Sequence, residues 1–262
     1  MPTRADDPRN NEFVSQTGRA LVALRELLLK GDYRPGERLS ELALVEKLGV
    51  SRTPIRLAFD RLAHEGLVEP SPSGGFVVCE FTIADIWDAI EMRGVLEGTA
   101  ARLAAERLTD PLRLIRIHGL QAQMDALVQT FRHNMIGSFG MYMNLNEEFH
   151  SELVRLSASP MLKRTMAHLT ALPFAAPSAM VFARSKLPGA ADLLTLGQEH
   201  HHALLEAIEK HQGSRAESLA REHVQISRRN LESVLGDEAF LQCVPGASLI
   251  QRAVLPEQAA SA

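Results

Sequence analysis

The chain has 262 residues, of which 45% are hydrophobic, so it is long and apolar enough for two ordinary domains. Its net charge of −4 excludes an overall basic excess as the basis for binding nucleic acid, and an aromatic content of only 5% argues against a base-stacking RNA platform. No apolar run reaches the roughly 18 residues of a membrane span, and the two cysteines form neither a disulfide framework nor a CxxC pair, which favours a soluble protein in the reducing cytoplasm.

The first segments in chain order are a polar arm and two helices. Residues 1–12 are polar and charged, and we expect them to form a flexible arm. Leucines at helical spacing predict a first helix from Val14 to Lys30. After a turn around Pro35, Ser40 is expected to cap a short second helix, which Gly49 closes.

A third helix follows after a short turn, with Ser51 as its expected N-cap and Pro54 in its first turn. Its apolar residues recur at helical spacing and predict a buried stripe, formed by Ile55, Ala58, Phe59 and Leu62. Residues 67–78 then predict a two-stranded β-hairpin around a Pro- and Gly-containing turn. Three helices and a hairpin indicate a winged helix-turn-helix domain, which we place at residues 13–79.

The polar face of the third helix is suited to DNA. Arg52 and Arg56 lie one turn apart, and guanidinium groups contact both phosphates and the O6/N7 edge of guanine in the major groove. Thr53 adds a hydroxyl in the first turn, where the helix N-terminus favours phosphate. The alternative is a pair of solvated arginines on an exposed helix, a common arrangement at protein surfaces.

Strand signals end after Glu80, and the remainder predicts a mainly α protein. Pro, Gly and capping residues divide it into six helices, at residues 82–108, 110–130, 135–157, 159–184, 190–211 and 214–235. We expect an all-α antiparallel helical bundle over residues 80–236, followed by a C-terminal tail over residues 237–262.

Several side chains of this region are suited to binding a metal ion. Asn146 and His150 are four residues apart in NLNEEFH and share one helical face. His201 in EHHHALLEAIEK and His223 in REHVQISRRN lie on two later helices. Three imidazoles and one side-chain oxygen are reasonable ligands for Zn²⁺, Ni²⁺ or a similar divalent ion inside a helical bundle. The alternative is a chance combination of surface and core histidines, since the chain has 10 of them.

Four motifs resemble the GntR-type winged helix in their order and spacing: PGERLSE, LGVSRTPIR, RLAHEGLVE and GGFVV. The resemblance covers residues 15–78 and implies that the third helix contacts DNA while the hairpin tip approaches the minor groove. We therefore expect the DNA contacts at Ser51, Arg52, Thr53, Arg56 and Gly75. The chain departs from the family at Leu57, where Glu is frequent, and at Asp60, where a basic residue is common.

A second resemblance covers residues 82–235. The segments RGVLEGTAARLAAERL, NEEFH, EHHHALLEAIEK and AREHV resemble the FCD sensor domain of one large GntR subgroup. The resemblance implies that the metal ligands are Asn146, His150, His201 and His223, although the first ligand is often Asp in that family. It also implies that Arg93 pairs with an acidic effector. The alternative for Arg93 is an intrahelical pair with Glu97 at i, i+4.

These expectations combine into a ligand-responsive, DNA-binding transcriptional regulator. We expect a homodimer that places two recognition helices on an inverted-repeat operator in double-stranded DNA. A small carboxylate effector is expected to bind beside the divalent metal and to release a repressor from DNA. The alternatives are a metal-dependent enzyme and a helical interaction scaffold, but the sequence has no general-base motif, phosphate loop or nucleophile elbow that favours an enzyme.

Overall fold

In a computed structural model of the chain, the described residues are 8–179, 189–235, 244 and 246–251. Residues up to Asp85, together with the segment from Gly246, form one compact unit (the N-terminal unit), and Ile86–Pro245 form a second (the helical unit). The helices within the described residues are α1 Pro8–Lys30, α2 Glu41–Leu48, α3 Arg52–His64, α4 Ile83–Arg107, α5 Ile115–Leu156, α6 Pro160–Leu169, α7 Ala190–Glu209 and α8 Gly213–Leu235. The strands are β1 Arg38–Leu39, β2 Val68–Pro70 and β3 Phe76–Val78. The mainly α fold with a winged helix-turn-helix is confirmed.

Helix α1 begins at Pro8, earlier than the expected start at Val14. Residues 8–12, which the sequence analysis assigned to a flexible arm, therefore lie in this helix. A proline in the first turn of a helix costs no hydrogen bond, and no helix-breaking residue follows it before Gly18. Residues 1–7 lie outside the described part of the chain.

The helix-turn-helix has the expected boundaries, but one of its two predicted caps is absent. Ser40 caps α2, because its Oγ accepts from the Ala43 N–H at 3.3 Å, and Gly49 ends that helix with a φ of 64°. Ser51 occupies the N-cap position of α3 in an extended conformation, yet its side chain makes no capping hydrogen bond. Pro54 at the third helical position removes one of the two N–H groups that a capping side chain contacts, and the other, that of Thr53, is not used.

The wing contains three strands where the sequence predicted two. Strand β3 lies in the middle and pairs antiparallel with both β1 and β2. The additional strand β1 is only two residues long, and its short PGERLS context is typical of a turn. Its pairing with β3 could not be inferred from a two-residue pattern, because period-2 alternation needs about four residues to be visible.

The core of the N-terminal unit is built from α1, α3 and the wing. The stripe predicted on α3 is buried: Ile55, Ala58, Phe59 and Leu62 are each fully inaccessible to solvent. Phe59 stacks on Phe76 of β3 with ring centroids 4.9 Å apart, which ties the third helix to the wing. The opposite face of α3 is left at the surface.

The segment Gly246–Gln251 also packs in the N-terminal unit. Its residues 247–249 form a 3₁₀ turn, and Leu249 is fully buried in the same core as α1 and α3. Ser248 Oγ donates towards two carbonyls at the end of α1, those of Leu28 at 3.0 Å and Leu29 at 3.1 Å. Phe81 and Ile250 form a parallel bridge. Residues 252–262 of the expected tail lie outside the described residues.

The helical unit contains one folded-back helix pair that the sequence predicted as two helices, 110–130 and 135–157. Helical residues extend over Ile115–Leu156 with no long loop between the two arms. Nevertheless Arg116 Nη2 lies 3.5 Å from Glu148 Oε2. In a straight helix, with a rise of about 1.5 Å per residue, these two residues would be about 48 Å apart. Thr130 Oγ1 likewise lies 2.9 Å from Ser138 Oγ. The helix direction therefore reverses between Thr130 and Ser138, and its two arms pack antiparallel.

The core of the helical unit combines small residues of α4 with larger residues of α5, α7 and α8. Alanines recur at helical spacing along α4 and are buried, which allows close approach of the neighbouring helices: Ala100, Ala101, Ala104 and Ala105. Phe149 of α5 is fully buried and packs its ring 4.2 Å from that of His201 on α7. Among the described residues, no helix combines the length and the low charge that crossing a bilayer requires.

Candidate DNA-contact face and candidate metal centre

The exposed face of α3 carries the residues predicted to contact DNA. Ser51, Arg52, Thr53 and Arg56 are all exposed. Arg56 is 69% exposed, and its Nε donates to both carboxylate oxygens of Glu41 at 3.0 and 3.1 Å. This ion pair occupies Nε and leaves the two terminal nitrogens of the guanidinium as the groups that can reach a base edge or a phosphate. Because Ser51 does not cap the helix, its hydroxyl is also presented at this surface.

The tip of the wing is a glycine turn held by an arginine. Gly74 and Gly75 have φ of +84° and +79°, a backbone region that residues with a Cβ rarely adopt. Arg38 of β1 donates from Nη2 to the carbonyl of Gly74 at 2.7 Å and from Nη1 to Ser73 Oγ at 3.3 Å. Arg38 therefore fixes the shape of the tip that contains Gly75, and it adds a positive charge beside it.

In the helical unit, α5, α7 and α8 bring three of the predicted ligands together. One ligand nitrogen from each of His150, His201 and His223 lies within 4.8 Å of the other two. His201 Nε2 and His223 Nε2 are 3.2 Å apart. His150 and His201 are buried, and His223 is half-buried. We call these three residues the histidine cluster.

The environment lowers the pKa of two of these imidazoles. Burial lowers the pKa of His201 well below its ordinary value of 6.5, and the neighbouring imidazoles of His223 and His150 lower it further. Burial also lowers the pKa of His223 well below 6.5, and His150 adds to this effect, whereas the carboxylate of Glu97 opposes it. Neutral imidazoles are the form that binds a metal ion.

One pair of nitrogens in the histidine cluster has the spacing of two ligands on one metal ion. In a tetrahedral zinc site with Zn–N distances of about 2.0–2.1 Å, two ligand nitrogens are about 3.3 Å apart. The 3.2 Å between His201 Nε2 and His223 Nε2 is close to this value. His223 Nδ1 is buried and has no hydrogen-bond partner among the described residues, and an all-imidazole set suits zinc, nickel and copper.

Asn146, the fourth predicted ligand, is buried next to this cluster. Its Nδ2 donates to Ser178 Oγ at 3.2 Å, and that hydroxyl donates in turn to the carbonyl of Met143 at 3.1 Å. Because the hydroxyl has only one proton, it must accept from the amide nitrogen, which directs Asn146 Oδ1 away from Ser178. Asn146 and His223 line the same pocket.

Glu97 lies beside the histidine cluster, whereas the sequence analysis considered it only as a partner for Arg93. Its carboxylate is 1% exposed, and its Oε2 lies 3.0 Å from His150 Nδ1. Burial alone would raise the pKa of this carboxyl, but the adjacent His150 and Arg93 outweigh it, so the pKa of Glu97 falls to about 2. The site therefore contains a buried negative charge beside the histidine cluster.

Arg93 lies in the buried network behind the histidine cluster. Its Nε is 3.6 Å from Glu97 Oε1, which is the i, i+4 pair considered as the alternative to effector binding. Its Nη2 donates to Ser227 Oγ at 2.6 Å and its Nη1 to the carbonyl of Ala175 at 3.3 Å. Ser227 lines the pocket that contains Asn146 and His223, so Arg93 contacts a pocket residue.

The pocket has an apolar body and a polar end. Water-sized groups have about 30 Å³ of space inside it, enough for one or two water molecules, and aromatic and aliphatic side chains of α5, α7 and α8 form most of its wall. Asn146, His223, Ser227 and Asn230 form the polar part. Asn230 is 2% exposed, and its Oδ1 has no partner among the described residues. An apolar wall with a few polar groups at one end is the composition of a small-molecule site, and an organic ligand requires the walls of this cavity to move apart.

Two of these pocket residues were detectable in the sequence. Ser227 and Asn230 follow His223 at i+4 and i+7 and therefore share its face of α8. Glu97 is four residues after Arg93 on α4 in the same way, but its approach to His150 is a contact between distant segments. No local pattern contains that information.

A winged helix-turn-helix in front of an all-helical unit with a buried histidine cluster defines a class, the ligand-sensing DNA-binding transcription regulators. Comparison with known proteins identifies the family. Residues 17–78 match the model of the bacterial regulatory proteins of the gntR family, and residues 88–226 match the model of the FCD domain. The chain belongs to the GntR family of bacterial regulatory proteins and carries an FCD domain.

Two curated relatives illustrate this similarity. The chain is 36% identical over 138 residues to the Nta operon transcriptional regulator of Aminobacter aminovorans, a match that covers 53% of this chain and 62% of the relative. It is 32% identical over 151 residues to an uncharacterized HTH-type transcriptional regulator of Agrobacterium vitis, covering 56% of this chain and 85% of that protein. These relatives and both domains are those of transcriptional regulators and not of enzymes.

A solved structure confirms the fold. The E. coli protein McbR/YncC superposes with a TM-score of 0.56 at 24% identity, over 83% of this chain and 97% of its own. At this level of identity the similarity concerns the architecture of the two units. The DNA contacts, the metal site and the effector of this chain are inferred from its own residues.

Proposed function

We propose that this protein is a homodimeric repressor whose helical unit binds a divalent cation and a small organic carboxylate, which together release the DNA-binding units from an inverted-repeat operator. The observation that carries the proposal is the histidine cluster, which lies beside an apolar pocket with a polar end. The cation supplies positive charge that a carboxylate can bind. The residues of the chain hold the cation, shape the pocket and contact DNA.

The proposed DNA contacts are made by the exposed residues of α3 and by the wing tip. The terminal guanidinium nitrogens of Arg52 and Arg56 match the O6/N7 edge of guanine, and Ser51 and Thr53 donate to phosphates at the helix N-terminus. Gly75 permits the close approach of the wing to the minor groove. The homodimer follows from the two-fold symmetry that an inverted repeat requires.

Selection of binding sites from a random duplex library, followed by affinity measurements over a salt series, tests the DNA proposal. Arg52→Ala is expected to weaken binding to the selected site by about 1–3 kcal/mol and to relax base preference at one position. Arg164→Ala removes the same charge from an exposed position of the helical unit and is expected to leave affinity unchanged. Equal affinities for the wild type and Arg52→Ala would refute the assigned contact.

The proposed cation ligands are the histidine cluster and Asn146. Mass-spectrometric metal analysis of the purified protein is expected to find close to one divalent ion per chain. His150→Ala and His223→Ala each remove one ligand and are expected to lose most of it. His118→Ala is the matched control, since this exposed histidine pairs with Glu209 in the same unit. Metal-free, folded wild-type protein in zinc-supplemented medium would refute the assignment.

The proposed effector is a small carboxylic acid with an apolar body. Its carboxylate is expected to bind at the cation and at the amide and hydroxyl groups of the polar end, which are held from behind by Arg93 through Ser227. Thermal unfolding with a library of small carboxylic acids identifies ligands by the stabilisation that they produce. Asn230→Leu is expected to abolish this stabilisation, and Asn144→Leu, at an exposed position of α5, to retain it.

A further inference from the structure

One histidine of the cluster is oriented by a hydrogen-bonded relay that leads from the surface into the proposed cation site. Gln198 lies one turn before His201 on α7 and is 4% exposed. Its Nε2 donates to Asp125 Oδ1 at 2.8 Å and to the carbonyl of Gln121 at 3.2 Å. Its Oε1 lies 3.1 Å from His201 Nδ1.

The partners of Gln198 determine which way its amide points. The Asp125 carboxylate and the Gln121 carbonyl can only accept hydrogen bonds, so the group that faces them must be the amide nitrogen. The amide oxygen therefore faces His201 Nδ1. Because that oxygen can only accept, His201 Nδ1 must carry a proton.

A neutral imidazole carries one proton, so a proton on Nδ1 leaves the lone pair on Nε2. His201 Nε2 is the nitrogen that lies 3.2 Å from His223 Nε2, inside the histidine cluster. The opposite tautomer would place two lone pairs against each other, at His201 Nδ1 and Gln198 Oε1, in a buried location. An unmade buried hydrogen bond of this kind costs about 1–3 kcal/mol.

Asp125 holds the Gln198 amide in one orientation. Its Oδ1 also lies 2.9 Å from Nε2 of His202, the residue that follows His201. The carboxylate thus contacts Gln198 and His202, which lie on α7 on either side of His201. It holds the glutamine amide so that its oxygen cannot rotate away from His201.

We infer that Gln198 is a positioning residue, held by Asp125, which fixes His201 in the Nδ1–H tautomer so that Nε2 is available to a bound cation. This inference rests on the proposed cation site, and it adds a device that pre-organises one ligand before the cation arrives. Residues that orient a metal-binding histidine in this way typically affect metal affinity by about 10–100-fold.

The test uses three variants of the full chain. Gln198→Met keeps the side-chain length but removes all three side-chain hydrogen bonds, those with Asp125, Gln121 and His201. The double variant Asp125→Asn with Gln198→Glu moves the negative charge along the relay. A donor still faces an acceptor between positions 125 and 198, and His201 Nδ1–H still has an acceptor, while the bond to the Gln121 carbonyl is lost. Gln123→Met, at an exposed position of α5, is the matched control for the chemical change.

Zinc affinity is measured by competition with a chromophoric chelator. Gln198→Met is expected to bind zinc about 10–100-fold more weakly than the wild type. The double variant is expected to recover most of this loss, and the control to show none. Undiminished affinity in Gln198→Met would overturn the inference, and so would an equal loss in the correctly folded double variant.

The tautomer is measured separately in the metal-free protein. Long-range proton–nitrogen correlation spectra of histidine-labelled protein distinguish Nδ1–H from Nε2–H, and the His201 signals are assigned by their absence in His201→Gln. The wild type is expected to show Nδ1–H, and Gln198→Met to lose this preference. Nε2–H in the wild type would overturn the inference. Failure of the wild type to bind zinc would instead overturn the proposed cation site, while the tautomer would still show whether Gln198 orients His201.

Discussion

The segment Gly246–Gln251 is expected to stabilise the DNA-binding unit, although it lies far from that unit in sequence. Leu249 is fully buried in the core that α1, α3 and the wing share. Leu249→Ala removes three carbon atoms from this core and leaves a cavity. Leucine-to-alanine substitutions at such positions cost about 2–5 kcal/mol, because transfer and cavity contributions add.

The neighbouring contacts limit how far this cavity can collapse. The Phe81 N–H donates to the carbonyl of Leu249 at 3.0 Å, and the Gln251 N–H donates back to the carbonyl of Phe81 at 2.6 Å. Ser248 is held at the end of α1 on the other side. With the backbone fixed at both sides of Leu249, we expect a cost in the upper part of that range.

Hydrogen exchange measured by mass spectrometry resolves this loss locally, because amides of α3 report on the opening of the N-terminal unit alone. A loss of about 3–5 kcal/mol corresponds to roughly 100- to several thousand-fold faster exchange of the most protected amides, at about 1.4 kcal/mol per factor of ten. Leu42→Ala is the matched control. Leu42 is 55% exposed on α2, and its replacement should change stability by no more than about 0.5 kcal/mol. Equal protection of α3 in Leu249→Ala and Leu42→Ala would refute the assigned role of the segment.

Three further outcomes are expected in the N-terminal unit. Glu41→Gln should lower the ratio of specific to non-specific DNA affinity by about tenfold. Arg56 loses the carboxylate that holds its guanidinium, and a negative charge is removed from the DNA face. An unchanged ratio in competition assays would contradict this. Gly75→Ala should destabilise the wing by about 1 kcal/mol or more, measured by hydrogen exchange of β3, because its φ of +79° is unfavourable for alanine. Burial, together with the nearby Glu69, raises the pKa of Cys79 to about 11. Alkylation of its thiol at pH 8 should therefore be far slower in the native protein than after unfolding, because the thiolate is the reactive form. Equal alkylation rates would contradict the raised pKa.

Local features of the fold were predictable because their causes are local. The buried stripe of α3, the cap at Ser40 and the left-handed Gly49 each depend on residues within one or two turns. The expected cap at Ser51 was wrong, although Pro54, which removes one of its two possible donors, is visible in the sequence. These features determine where the helices lie and which of their faces is polar.

The candidate site was predictable only in part. Spacing and family resemblance together indicated Asn146 and the three histidines, and the structure places the histidines within reach of one ion. The same information did not indicate Glu97 at His150, because a buried carboxylate four residues after an arginine is also the pattern of an ordinary intrahelical pair.

The sequence by itself determined the winged helix, the helical character of the rest and the residue types available for DNA and for a cation, because hydrophobic period, caps and side-chain chemistry are properties of short segments. Only the tertiary structure decided that β1 joins the wing, that Leu249 completes the N-terminal core, and that Gln198 faces both Asp125 and His201. Each of these contacts joins residues of different elements or depends on a neighbouring helix. They are set by long-range packing, in which the gain from burial and hydrogen bonding outweighs the entropy of closing the loops between them.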